Sequence, residues 1–259
     1  MLCAVSEPTP IALDIQGACA VATLRRPPVN AIDESWLERL GEVLGEVERG
    51  ARVGVLLLRS GERAFCAGAD LALMRSRFGT REGRAAMAAF ARGLQQAFAR
   101  LEALPQATVA EIGGAAMGGG LELALACDLR IASESARLGL TEARLGLLPG
   151  AGGTQRLPRI AGEAVARRMI LRGEIVDGAE AARLGVVHWA VPAADLPARA
   201  RALADELAAM PAAAIAACKR CLGAGSSGAD GYGREIEGTA ALYENAETQR
   251  RVREFLERA

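Results

Sequence analysis

The chain has 259 residues, of which 51% are hydrophobic and 24% are charged, an ordinary globular balance for one or two domains. Its 31 basic and 31 acidic residues cancel at pH 7, which argues against binding driven by charge to nucleic acid or to a membrane. The sequence contains no run of about 18 uncharged apolar residues, so it predicts no membrane-spanning helix. The first residues do not resemble a secretory signal. We therefore expect a soluble, cytoplasmic protein.

The first half of the chain alternates predicted strands and helices. Alternating apolar residues predict strands over 11–15 and 19–24, and Asp33 or Ser35 is suited to cap a helix that continues to about residue 48. The apolar run 53–58 is typical of a strand buried on both faces. A polar segment over 75–84 is expected to be mobile, and a helix over 83–103 and a strand over 107–112 follow.

The second half becomes mostly helical after a glycine-rich loop over 150–155. We expect an α/β core over 1–195 that carries the active site. The helical region over 196–259 has little strand content of its own, so its apolar faces predict oligomer contacts. Strands are predicted over 129–133, 136–140 and 186–191, a turn or helix at Thr141-Glu142, helices over 162–172, 177–184, 195–209, 211–222 and 231–257, and a flexible joint over 223–228.

The most informative stretch is 112–128, where Gly118, Gly119 and Gly120 separate a strand from a helix-forming segment. Consecutive glycines favour a sharp turn with free space beside the backbone. The first N–H groups of a helix have no partner inside it, and the helix dipole favours negative charge there. The pattern matches neither a dinucleotide-binding nor a P-loop motif. It predicts either a backbone site for an anionic oxygen or a purely structural turn.

Two glutamates, Glu122 and Glu142, have small or apolar neighbours in the sequence. Burial in such surroundings raises the pKa of a carboxyl group, and one ionised and one protonated carboxyl can together handle a water molecule and a proton. Each glutamate could instead simply favour a helix N-terminus, and their spacing does not establish proximity. The small residues around Gly68 expose further N–H groups, so one of them and the Gly119 N–H could hold an oxyanion.

Other types of site receive little support. The single histidine, His188, lies in an apolar segment without a nucleophile elbow, so a structural role is favoured over a catalytic triad. Neither this histidine nor the acidic residues form a metal-binding pattern, and no metal is predicted. The six cysteines are expected to be free thiols, with Cys218 and Cys221 as two positions of one helix.

Taken together, these segments resemble the enoyl-CoA hydratase/isomerase (crotonase) superfamily over nearly the whole chain. The resemblance rests on residues 24–31, 64–71, 115–128 and 138–157. It implies a crotonase-like α/β spiral of ββα units with a helical C-terminal trimerisation region. It also implies a homotrimer or a dimer of trimers (a hexamer), acyl-CoA thioesters as substrates, and no cofactor besides the coenzyme A of the substrate.

The resemblance also implies roles for individual residues. The backbone N–H groups of Ala69 and Gly119 would form the oxyanion hole, Glu122 would orient and activate the water added at C3, and Glu142 would deliver a proton to C2. Thr141 departs from the proline that hydratases often carry there. Arg25, Arg26 and the segment 75–84 are candidates for the CoA phosphates, although an ordinary solvated surface is the simpler interpretation. The other expected substrate or CoA contacts are Ala67, Gly68, Asp70, Leu71 and Gly118.

Because the chain keeps both glutamates, the resemblance favours a 2-enoyl-CoA hydratase of fatty-acid or branched-chain acyl catabolism. The alternatives within the same fold are an enoyl-CoA delta-isomerase and a methylglutaconyl-CoA-type hydratase. A non-catalytic paralogue that binds acyl-CoA or RNA is a further alternative. The zero net charge argues against RNA as a partner, and a silent paralogue would leave both glutamates unexplained.

Overall fold

The computed structural model describes residues 9–227 and 231–257. Two sheets and the helices around them build the fold. The strands are β1 (Ile11–Gln16), β2 (Cys19–Leu24), β3 (Val55–Ser60), β4 (Ala107–Ile112), β5 (Ala116–Met117), β6 (Leu129–Ser133), β7 (Arg137–Gly139), β8 (Ile175–Asp177) and β9 (Trp189–Val191). The helices are α1 (Glu34–Arg49), α2 (Leu71–Phe78), α3 (Arg81–Ala103), α4 (Gly119–Leu125), α5 (Gly153–Ala161), α6 (Glu163–Leu171), α7 (Gly178–Arg183), α8 (Leu196–Ala208), α9 (Ala212–Ser227), α10 (Gly231–Tyr243) and α11 (Ala246–Leu256), with a 3₁₀ helix at Glu142–Leu145.

The larger sheet has six strands in the order β1-β2-β3-β4-β6-β9, and the smaller has three in the order β5-β7-β8. In the larger sheet only β1 and β2 pair antiparallel, and the other neighbours are parallel. Parallel neighbours need crossover connections, which α1 provides between β2 and β3, and α2 with α3 between β3 and β4. The small sheet provides short strands on which the glycine turn is built.

The larger sheet is covered on both faces, which accounts for the continuous apolar run of β3. Leu56 and Leu58 pack into the main core with residues of α1 and α3, whereas Val55 and Leu57 belong to a second cluster with Leu196 and other residues of α8. Because α8 packs on the sheet, it is part of the core. The division of the chain at residue 195, with oligomer contacts in the region over 196–259, stays a prediction.

The helix α9 is tied to the core by Lys219, the one lysine of the chain. Its Nζ donates to the Gln106 carbonyl oxygen at 2.8 Å and pairs with Asp128 Oδ2 at 2.6 Å. The same Asp128 oxygen accepts hydrogen bonds from the Thr108 N–H and hydroxyl at 2.8 and 2.9 Å. A single ammonium group therefore joins α9 to the start of β4.

Most of the segment over 75–84, which was expected to be mobile, lies in α2 and α3, with Gly79 and Thr80 between the two helices. Asp70 accepts hydrogen bonds from the Ala72 and Leu73 N–H groups at 2.8 and 3.0 Å and so caps α2. Thr80 in turn accepts a hydrogen bond from the Gly83 N–H and caps α3. The sequence pattern did not predict α2, because this helix buries no residue fully and so leaves no apolar periodicity to detect. The expected mobility stays a prediction.

Other boundaries also differ from the prediction. The strand predicted over 53–58 begins and ends two residues later, as β3, and only the end of the strand predicted over 186–191 forms, as β9. The three-residue strand β8 was not predicted, and α5 begins earlier than expected, inside the glycine-rich loop.

The helical region also departs from the prediction near its end. The helix predicted over 231–257 is broken between α10 and α11, where Asn245 Oδ1 accepts hydrogen bonds from the Glu247 and Thr248 N–H groups. Residues 223–227 of the predicted joint continue α9, and its last residue lies outside the described residues. Among the described residues no single helix meets the length and hydropathy expected of a membrane span. The pair α8 and Ala212–Ala224 meets them only together, across a 101° bend.

Candidate active site

Three backbone segments meet at the small sheet. Strands β5 and β7 pair in parallel, with Met117 opposite Gly139, and the Gly118 N–H extends the pairing by donating to the Gly139 carbonyl oxygen at 2.9 Å. On the other side of β5, Cys66 forms a bridge with Ala116. The carboxyl ends of neighbouring parallel strands lie at the same edge. The chain leaving β5 towards Glu122 therefore runs beside the chain leaving β7 towards Glu142.

Glu122 lies in the first turn of α4 and is only 2% exposed. Its Oε1 accepts hydrogen bonds from the Ala151 N–H at 2.8 Å and the Gly153 N–H at 2.7 Å. Burial raises the pKa of Glu122 to about 7, although the Gly153 amide opposes this by favouring the ionised form. The negative charge of Glu142 contributes to this rise as well. A carboxyl group with a pKa near 7 is suited to gaining and losing a proton at neutral pH.

Glu142 is the first residue of the 3₁₀ helix and is half-buried. Its Oε2 is buried and has no hydrogen-bond partner among the described residues, and burial raises the pKa of this carboxyl above its ordinary value. Gly118 provides the space for it, because a Cβ at Gly118 would lie 2.9 Å from Glu142 Oε1. Gly118 also has a φ of +51°, a conformation that residues with a Cβ rarely adopt.

The two backbone amides predicted to bind an oxyanion are neighbours. The Ile32 N–H donates to the Gly68 carbonyl oxygen at 2.8 Å and the Asp70 N–H to the Ile32 oxygen at 2.9 Å, so the Ala69 N–H between them points away from Ile32. Gly119 is the first residue of α4, where an N–H has no acceptor within the helix. A Cβ at Gly119 would lie 4.0 Å from the Ala69 nitrogen.

Gly68 allows the close approach of these two segments. Its φ is +88°, and a Cβ at this position would lie only 2.8 Å from the Met117 carbonyl oxygen and 3.3 Å from the Gly119 nitrogen. Any larger residue would therefore separate Ala69 from Gly119. The neighbouring Ala67 donates its N–H to the Val29 carbonyl oxygen at 3.0 Å, which fixes the start of the loop.

Asn30 supports this loop, although it was not among the predicted site residues. It is fully buried with a φ of +53°, and its Nδ2 donates to the Ala64 and Phe65 carbonyl oxygens at 3.1 and 3.0 Å. Its Oδ1 accepts a hydrogen bond from the Arg26 N–H at 2.8 Å. Asparagine is among the few residues that tolerate a positive φ. An asparagine directly after Pro27-Pro28-Val29 was therefore the sequence feature that could have pointed to a structural role for this residue.

The side chains predicted to contact CoA are placed differently from one another. Arg26 pairs with Asp33 at 2.6 Å and with Asp70 at 2.9 Å, and the Leu73 N–H and Arg26 lower the pKa of Asp70. Both side chains are thus engaged within the protein. Arg25 and Leu71 are exposed and line one groove together with Pro10.

The remaining chemically notable residues lie outside this cluster. His188 Nδ1 accepts a hydrogen bond from the Arg130 N–H at 3.1 Å, and burial lowers its pKa, which favours the neutral ring. Cys218 and Cys221 both lie on α9. Within residues 9–227 and 231–257, no group of three or more His, Cys, Asp or Glu side chains is arranged to hold a metal ion.

Known proteins share both the sequence pattern and the fold. The family model described as enoyl-CoA hydratase/isomerase matches residues 14–259. The short-chain-enoyl-CoA hydratase of Clostridium acetobutylicum is 36% identical over 217 residues, which cover 83% of this chain and 81% of that protein. The family match extends over all the segments that build the site.

Solved structures agree with this relationship. DspI from Pseudomonas aeruginosa superimposes with a TM-score of 0.90 at 34% identity, covering 98% of this chain and 97% of that chain. An enoyl-CoA hydratase from Bacillus anthracis gives a TM-score of 0.88 at 33% identity and covers 96% of each chain. The predicted α/β crotonase fold is confirmed, and the chain belongs to the enoyl-CoA hydratase/isomerase (crotonase) superfamily.

Proposed function

We propose that the protein is a 2-enoyl-CoA hydratase that adds water across an α,β-unsaturated acyl-CoA thioester. The observation that carries this proposal is the pair Glu122 and Glu142, two carboxyl groups with raised pKa values, beside the backbone amides of Ala69 and Gly119. Carboxyl groups whose pKa values are raised above the ordinary range are suited to proton transfer near neutral pH. Paired N–H donors are suited to a carbonyl oxygen that gains negative charge.

In the proposed reaction, the thioester oxygen binds the Ala69 and Gly119 N–H groups. Glu122 takes a proton from water as the water oxygen bonds to C3, and the electrons of the double bond move towards the thioester oxygen. Glu142 then donates a proton to C2, which restores the carbonyl group. Transfer of one proton from Glu122 to Glu142 returns the site to its starting state, so the reaction consumes only water and the enoyl thioester.

The two amides that bind Glu122 support its role as the base, since N–H donors stabilise a carboxylate more than a carboxylic acid. Glu142 has an unpartnered buried oxygen that is suited to carry the proton for C2. The backbones of Ala67, Gly68 and Gly118 shape the space for the thioester. The exposed groove with Arg25 and Leu71 is the proposed path of the coenzyme A, and Asp70 contributes by holding α2 in place.

The reaction moves a proton and a hydroxyl group without any change of oxidation state in the protein, so we propose that no cofactor besides the CoA of the substrate takes part. We further propose that the protein is cytoplasmic and acts in fatty-acid or branched-chain acyl catabolism. The helices α9 to α11 expose several large apolar side chains, which supports their proposed role in assembling a homotrimer or a dimer of trimers.

The decisive experiment follows the loss of the conjugated enoyl-thioester absorbance of crotonyl-CoA in the wild type, Glu122→Gln and Glu142→Gln. Each substitution removes a proton-transfer group but keeps the side-chain shape, so we expect kcat to fall about 10²–10⁴-fold, the usual contribution of one acid or base. Circular dichroism checks that both variants fold.

Near-normal turnover in both variants would reject the two-glutamate mechanism. Tight binding of crotonyl-CoA without turnover by the wild type would instead direct the search to other enoyl thioesters. A panel containing 3-enoyl-CoA and methylglutaconyl-CoA separates hydration of this substrate from double-bond isomerisation and from hydration of a branched substrate.

A further inference from the structure

The loop that binds Glu122 is itself held from behind by Arg156. Arg156 lies on α5 with a side chain only 7% exposed. Its Nη1 donates to the Ala151 carbonyl oxygen at 3.0 Å. Its Nε and Nη2 bind Glu102 Oε2, near the end of α3, at 2.9 and 2.8 Å. One guanidinium group therefore joins the loop to a long helix of the core.

Ala151 connects this guanidinium group with Glu122. Its carbonyl oxygen accepts the hydrogen bond from Arg156, and its N–H donates to Glu122 Oε1 at 2.8 Å. The Gly153 N–H provides the second hydrogen bond to the same carboxylate oxygen, at 2.7 Å. A shift of the loop would consequently displace both donors together.

Gly152 lies between these two donors and leaves space for the Arg156 side chain. Its φ is +110°, and a Cβ at this position would lie 2.2 Å from Arg156 Nη1. The guanidinium group thus occupies the space beside the bare Gly152 backbone. The helix α3 holds the loop at a second point, because Gln95 Nε2 donates to the Gly150 carbonyl oxygen at 2.7 Å.

We propose that Arg156 is a positioning residue for Glu122, anchored by Glu102, which fixes the loop whose N–H groups bind and orient the Glu122 carboxylate. Its planar group is suited to this task because it binds two acceptors in a fixed geometry. The positive charge of Arg156 also favours the ionised form of Glu122. The kinetic consequences rest on the proposed hydratase function, whereas the binding of the carboxylate does not.

The first test reads Glu122 itself. Infrared difference spectra recorded through a pH titration follow its carboxyl band, which is identified by its absence in Glu122→Gln. In Arg156→Met the favourable charge is lost and the N–H donors are loosened, so the Glu122 titration should move to higher pH than in the wild type. Arg167→Met is the matched control, because it removes an exposed Arg–Glu pair on α6 whose arginine side chain is 70% exposed.

The second test is kinetic. Misplacement of a catalytic group by about 1 Å costs up to about a hundredfold in rate, so Arg156→Met should lower kcat about tenfold to a hundredfold. The change in KM should be small, because Arg156 lies behind the loop that binds Glu122. Arg156→Lys keeps the charge but cannot bind Glu102 and the Ala151 oxygen in the same planar geometry. We therefore expect Arg156→Lys to bring the titration of Glu122 back close to that of the wild type, whereas kcat should recover less.

The outcomes separate this inference from the proposed function. A wild-type titration of Glu122 in Arg156→Met, or unchanged kcat in Arg156→Met and Arg156→Lys, overturns the positioning role. If Arg156→Met does not fold, Arg156→Lys and Glu102→Gln are read in its place, and wild-type kcat and titration in both overturn it. If the wild type hydrates no enoyl-CoA, the proposed function fails, and the infrared titration still decides the role of Arg156.

Discussion

At the scale of single residues, Gly118 decides whether Glu142 keeps its position. Gly118→Ala forces a side chain into a sparsely populated backbone conformation with positive φ, which costs roughly 1–3 kcal/mol, and places a Cβ 2.9 Å from Glu142 Oε1. We expect a folded protein of lower stability, measured by thermal unfolding, and a large loss of kcat on crotonyl-CoA, measured by absorbance. Gly41→Ala in α1 is the control, since a Cβ there meets nothing within 4 Å and should leave kcat unchanged. Equal rates for both variants would contradict this expectation.

The residues alone were sufficient to select Glu122, Glu142 and Gly119 as candidates, because glycines and isolated carboxylates are visible in one dimension. The choice of Ala69 among the small residues around Gly68 came from the family resemblance. Their proximity was not visible. It depends on the pairing of β5 with β7. The strand β7 was predicted, over 136–140, but β5 has only two residues and is too short to show a period in the sequence. Arg156 and Asn30 escaped notice for a related reason, because each acts through backbone oxygens that only the folded chain brings within reach.

At the scale of secondary structure, β4 contains a buried carboxyl group outside the site. Glu111 is 5% exposed, its Oε2 has no partner among the described residues, and Arg59 Nη2 lies 3.9 Å from its Oε1. Burial raises the pKa of Glu111. The folded state therefore binds this proton more tightly than the unfolded chain, and stability falls as pH rises through and above the ordinary glutamate range.

The side chain introduced by Glu111→Gln cannot ionise, so this variant should not lose stability in this way as pH rises. We expect the melting temperature of the variant, relative to that of the wild type, to increase as pH rises from about 4 towards 7. Thermal unfolding across this range measures the difference, with Glu163→Gln on α6 as the exposed control. A difference that does not change with pH would show that Glu111 does not titrate as its burial requires.

Elements with one buried face, such as β2, α1 and α3, were predicted close to their observed bounds because burial imposes a clear period. Two features that were not predicted depend on local hydrogen bonds rather than on a buried apolar face. The helix α2 depends on the Asp70 cap rather than on an apolar face, and the break before α11 depends on the side chain of Asn245, which caps the new helix. Local hydrogen bonds of this kind leave little trace in hydrophobic patterning.

At the scale of the whole molecule, the last helices expose apolar groups that an oligomer would cover. On α10, Tyr232 is 84% and Ile236 74% exposed. Replacing both by aspartate should weaken a homo-oligomer, because burying unpaired carboxylates at an interface is costly. Light scattering should give a trimeric or hexameric mass for the wild type and a smaller mass for the double variant. A monomeric wild type would remove the proposed assembly.

Because Lys219 docks α9 on the core, the opening of this helix can be measured without labelling the protein. An endoproteinase that cleaves only after lysine has one cleavage site in this sequence, and there the ammonium group is bound to Asp128 and the Gln106 carbonyl oxygen. Cleavage in the middle of a helix requires local opening. The rate of this single cut therefore measures how often α9 leaves the core. Asp128→Asn removes the negative charge that pairs with the lysine and also alters the acceptor of the Thr108 hydrogen bonds. It should accelerate the cut without changing the residues on either side of it.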